Sequence, residues 1–68
     1  MRKPTDIQRY RENLQAEVDA ATQYRAMADS ERQAEVADVY RKLAAIEDKH
    51  ASFWEDRLAG KGVPVRPR

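Results

Sequence analysis

The chain has 68 residues and no cysteine, with 13 Lys and Arg set against 12 Asp and Glu for a formal net charge of +1. A chain this short is at most one small domain, stabilised only marginally without a metal or a partner, and lack of cysteine excludes disulfides, iron–sulfur clusters and thiolate zinc sites. The dispersed, balanced charge gives no basis for binding nucleic acid, and no apolar run nears the roughly 20 residues of a membrane span, so a cytoplasmic protein is expected.

Glycine and proline occur only near the ends, at Pro4, Gly60, Gly62, Pro64 and Pro67. The stretch 5–59 between them is rich in Ala, Glu, Arg, Gln and Leu, all strong helix formers. Thr5 with Gln8 forms a capping-box signature that opens a first helix over about 6–29. The polar run Asp29-Ser30-Glu31-Arg32-Gln33 predicts a turn, and Ser30 with Gln33 offers a second capping box for a helix over about 33–59. Gly60 is the natural residue to end it. Residues 1–59 thus read as one helical domain, and residues 60–68 as a flexible C-terminal linker of the kind that joins domains in a longer protein. The alternative to a hairpin is one uninterrupted helix of about 80 Å at ~1.5 Å per residue.

Apolar positions recur at steps of three and four, marking one packed face on each helix. The first carries Tyr10, Leu14, Glu17, Ala21, Tyr24 and Ala28; the second carries Val36, Tyr40, Leu43, Glu47, His50, Trp54 and Arg57. Glu17, Glu47 and His50 interrupt these rows, and carboxylates facing a core are costly unless paired or bound to metal. Glu47 and His50 form E-x-x-H, whose i and i+3 side chains leave the same side of a helix. With the turn centred near residue 32, residues i and 64 − i are level, so Glu17 lies opposite Glu47, Tyr24 opposite Tyr40 and Tyr10 opposite Trp54.

One hairpin supplies two carboxylates and an imidazole, too few for two metals. A twofold-related copy doubles these to four Glu and two His, the set used by di-iron and di-manganese carboxylate bundles. The expected fold is therefore all-α: an antiparallel two-helix hairpin that dimerises into a four-helix bundle, with two ions per homodimer and higher assembly left open. Four carboxylates neutralise two divalent cations. Oxygen and imidazole donors suit iron, with manganese or zinc as substitutes. Tyr40 and Trp54 read as packing; Tyr24 reads as packing or as a residue supporting the metal ligands. Without metal, the same residues describe a plain helical interaction module.

Glu17, Tyr24 and the run Glu47-Asp48-Lys49-His50 resemble the two-helix ferritin-like proteins. These include the encapsulated ferritins and the rubrerythrin-like domain of vacuolar-iron-transporter-type and membrane-bound ferritin proteins. Residues 9–17 and 43–54 are most similar to the latter, and the resemblance spans about 7–59. It implies that Glu17, Glu47 and His50 are iron ligands, with Glu17 or its symmetry mate bridging. It further implies a ferroxidase acting in iron storage or transport, or a sensing or delivery domain of a membrane metal transporter that binds iron or manganese without turnover.

Overall fold

A computed structural model describes residues 5–65, which form two helices, α1 (Asp6–Ser30) and α2 (Ala34–Gly60), joined by a three-residue turn. The all-helical hairpin is as expected. Thr5 caps α1 in both senses of the capping box: its hydroxyl accepts from the Gln8 backbone N–H at 3.1 Å, and the Gln8 side chain accepts from the Thr5 N–H at 2.7 Å.

The turn departs from the sequence reading. Ser30 stays in the last turn of α1, its hydroxyl donating to the Met27 carbonyl at 3.3 Å, so it does not cap α2. The cap residue of α2 is Gln33, whose side chain makes no capping bond. Glu31 reaches two residues ahead instead and accepts from the Gln33 N–H at 3.0 Å, a local side-chain bond that closes the turn without glycine.

The far end departs as well. Gly60 is still helical, and the left-handed residue is Gly62, at φ +75°. The Gly62 N–H donates to the Ala59 carbonyl and the Val63 N–H to the Leu58 carbonyl, both at 3.0 Å, the paired bonds of a Schellman stop. Its accompanying apolar contact draws Val63 towards Leu58. Val63, Pro64 and Val65 then line a groove with Leu14, Val18 and Leu58, lying along one flank of α1.

Among the described residues, those that are buried are all alanines save one leucine. They are Ala21 and Ala28 on α1, and Ala37, Ala44, Ala51 and Leu58 on α2, the last four spaced by sevens. This corrects the packed face expected for α2, because Ala37, Ala44 and Ala51 lie one helical position to the side of it. Alanine lets two backbones approach closely and loses almost no side-chain entropy when buried. The bulky row of Tyr40, Glu47 and Trp54 is half-buried at the edge of that alanine seam, while His50 and Arg57 are exposed.

The hairpin therefore has two unlike faces. One is closed by the 63–65 segment and by an ion pair joining Arg25 to Asp48 across the helices. The other is open and carries Tyr10, Glu17 and Tyr24 beside Tyr40, Glu47 and Trp54, flanked by Leu43 and His50. Along its outer edge run Val39, Ile46 and Phe53, again spaced by sevens and 52%, 45% and 47% exposed, with Met27 on α1 at 42%. The molecule measures 46 × 26 × 15 Å, a single layer of helices. Its radius of gyration is 14.5 Å, against about 11 Å for a compact domain of this length.

Candidate metal centre

Glu17 stands midway along α1 and Glu47 midway along α2. The short turn brings them level, and the level pairs read from the sequence do meet. Tyr24 stacks on Tyr40 with centroids 6.4 Å apart, and Tyr10 lies against Trp54 at 5.6 Å. These two aromatic pairs sit about two helical turns to either side of the carboxylates, roughly 10 Å along the axis. They wall the site lengthwise with apolar surface.

His50 completes the group one turn beyond Glu47. Its Nδ1 is 3.3 Å from Glu17 Oε2 and 3.8 Å from Glu47 Oε2. One donor atom from each of the three residues fits within a 4.8 Å span. Two donors on a single ion at ~2.1 Å are about 3.0–3.4 Å apart for octahedral to tetrahedral angles. The observed separations thus require only a small inward movement to hold one cation. The donors also match hard or borderline divalent metals: two carboxylate oxygens and one imidazole nitrogen.

The electrostatics of the pair favour an added positive charge. The Glu47 carboxyl is held above its usual range, first by a hydrogen bond shared with the Glu17 carboxylate. Burial and the repulsion of the Glu17 charge act in the same direction, with His50 opposing them. Both carboxylate side chains retain only about a fifth of their exposure, at 21% for Glu17 and 22% for Glu47, whereas His50 retains 54%. The site is thus floored by the hairpin and open towards the unpaired face.

The structure brings together Glu17, Glu47 and His50, and places Tyr24 in a ring stack two turns from Glu17. The Arg25–Asp48 pair on the opposite face was not anticipated, since the two residues are far from level. Side chains on both helices lean towards their own N-termini, which in an antiparallel pair points Arg25 and Asp48 at each other. That lean, with the length of arginine, was the available signal.

No protein-family model matches the chain, and no curated protein or solved structure matches it. Fold and site define a helical hairpin with a Glu/His group able to hold a metal. Among the described residues, no helix is long and apolar enough to cross a membrane.

Proposed function

We propose that two copies of the hairpin pair through their open faces and build a shared site of four Glu and two His, which binds two ferrous ions and oxidises them, for iron storage or transport. The observation that carries this reading is the convergence of Glu17, Glu47 and His50 at mid-length on a face otherwise apolar and aromatic. The chain exposes 5568 Å², whereas a compact monomer of its mass exposes about 4,400 Å². The excess exceeds the ~800 Å² per partner of a standard interface. The exposed Val39, Ile46 and Phe53 supply apolar area beside the site.

Ferrous iron is the substrate. Two ferrous ions lose one electron each, and dioxygen takes both electrons with two protons, leaving two ferric ions and one hydrogen peroxide. Glu17, Glu47 and His50 hold the metal, and their four carboxylates per pair of chains offset its charge. The Glu47 carboxyl, held above its usual range, binds metal in its deprotonated form. Tyr10, Trp54, Tyr24 and Tyr40 limit water on either side. Tyr24 supports the site through its stack with Tyr40, two turns from Glu17.

Anaerobic titration with ferrous ion followed by exposure to air tests this. One iron per chain with oxidation well above the rate of free iron, lost in Glu47→Ala, supports a ferroxidase. Tight binding with no acceleration replaces it with a sensing or delivery domain for iron or manganese, and absence of binding leaves a helical interaction module.

A further inference from the structure

The segment Val63-Pro64-Val65 forms a wall beside α1. The Val63 N–H is tied to the Leu58 carbonyl, Gly62 turns the backbone through its left-handed φ, and Pro64 restricts the next step. Lys61 Nζ lies 3.9 Å from Asp6 Oδ2, which draws the base of the segment to the start of α1. The segment is held at several points, yet it does not fill the space in front of it. Between it and Leu14, Val18 and Leu58 a groove of about 240 Å³ stays open.

The lining has the make-up of a small-ligand site, mostly apolar surface with a few placed polar groups. Leu58 is buried, and Leu14, Val18, Val63 and Val65 are half-buried. The one charged side chain along the groove is Arg11. Among the described residues Arg11 forms no ion pair, whereas Arg9, Arg25 and Arg41 are each engaged by an aspartate. Gln15, also on the rim, donates its amide N–H to Asp19 at 2.8 Å. The guanidinium of Arg11 is thus the donor at the rim that a ligand can use. It matches a carboxylate, which accepts two parallel hydrogen bonds from the arginine fork.

Size narrows the ligand further. A volume of 240 Å³ holds about eight water-sized groups at ~30 Å³ each, and a methylene is of similar size. One alkyl chain fits, and a two-chain lipid does not. We propose that this groove binds a free, unbranched carboxylic acid of about eight carbons, its chain along Leu14, Val18, Leu58 and Val63 and its carboxylate on Arg11. The groove lies on the face turned away from Glu17, Glu47 and His50, so its occupation needs neither metal nor a second copy.

Titration of the full chain with sodium octanoate, followed by amide NMR, tests this. The expected result is saturable one-to-one binding, with shifts centred on Leu14, Val18, Val63 and Val65. Affinity should rise about fourfold per methylene from butanoate to octanoate and level off by dodecanoate. Arg11→Gln should weaken octanoate roughly two- to fivefold and leave octan-1-ol unchanged. Val65→Asp, which sets a negative charge in the wall beyond the end of α2, should abolish octanoate binding with the helices intact. Shifts that never saturate, or that centre on Val39, Ile46 and Phe53, mean adsorption to the exposed strip and overturn the proposal. Affinity that climbs at the same rate beyond ten carbons overturns it too, as does an equal loss of octanoate and octan-1-ol in Arg11→Gln. If octanoate fails to bind and Val65→Asp breaks up a dimer seen by sedimentation of the parent, a second copy fills the groove and the proposal falls.

Discussion

His50 Nδ1 stands 3.3 Å from Glu17 Oε2 although 33 positions separate them in sequence. This contact crosses the hairpin, whereas His50 and Glu47 share one helix turn. The three residues report on the hairpin as a whole, since a ligand from α1 is in place only when the helices are packed.

Removal of either carboxylate therefore has opposite effects on metal and on fold. Glu17→Ala, Glu47→Ala and His50→Ala are each expected to lower ferrous or zinc affinity by at least roughly tenfold to a hundredfold. The two Glu variants should leave the thermal midpoint of the metal-free protein equal or higher, because the remaining carboxyl no longer faces a like charge. Calorimetric titration beside circular-dichroism melts checks both. A Glu47→Ala protein that binds metal like the parent removes Glu47 from the site.

The raised Glu47 carboxyl gives the metal-free protein a pH signature. The unfolded carboxyl titrates near 4.5, and the folded one higher, so the folded state holds its proton more tightly. Stability from this group is fully present below the unfolded value and is lost as pH rises through the folded value. Metal binding runs the other way and strengthens over the same interval as the proton is displaced. Melting midpoints of parent and Glu47→Gln, compared from pH 4.5 to about 7, should differ in slope, the variant being flatter. Parallel curves refute the assignment.

Metal and dimerisation should be linked. Bringing four carboxylates together without metal is unfavourable, so zinc or ferrous ion should tighten the dimer, and the dimer should melt higher. The expected gain is about 2.7 kcal/mol at a free metal concentration a hundred times the dissociation constant. Ile46→Ser or Phe53→Ser should weaken this dimer while leaving helicity unchanged, since both residues are exposed on the single hairpin. Equal dimer affinity with and without metal, read by sedimentation, would exclude the linkage.

The alanine seam has its own test. Ala51 and Ala44 are 0% and 1% exposed, so Ala51→Leu forces the helices apart at an expected cost of about 1–3 kcal/mol. For a domain of this size that lowers the melting midpoint by roughly 4–8 °C per kcal/mol. Ala45→Leu, on an exposed position of the same helix, should be close to neutral. Similar losses from both would mean that the seam is not where the structure places it.

Much of this arrangement was legible in the chain. A 55-residue stretch without glycine or proline set the helices, and counting back from a polar centre set Glu17 level with Glu47 and Tyr24 with Tyr40. The α2 half of the seam was not legible, because an alanine buries far less apolar area than Tyr, Leu or Trp and marks a packed face less clearly. The widest apolar stripe therefore drew attention to the open face, and the buried line of Ala37, Ala44 and Ala51 beside it passed as filler. Gly60 and Ser30 misled for a related reason: each fits a helix end by residue type, and the choice is made by packing. Val63 against Leu58 pulls the stop to Gly62, and Glu31 serves the turn in place of Ser30.

A line of alanines repeated every seven residues looks the same after a slide of one repeat. The seam alone thus permits shifted alignments of similar burial, each displacing Glu47 from Glu17 by about 10 Å along the axis. The three-residue turn and the meetings of Tyr24 with Tyr40 and Tyr10 with Trp54 discriminate among them. The ion adds a further criterion, since only the correct alignment gathers all three donors. Cation capture in this hairpin would then act as a proofreading step on folding, retaining chains whose helices have met in the right place.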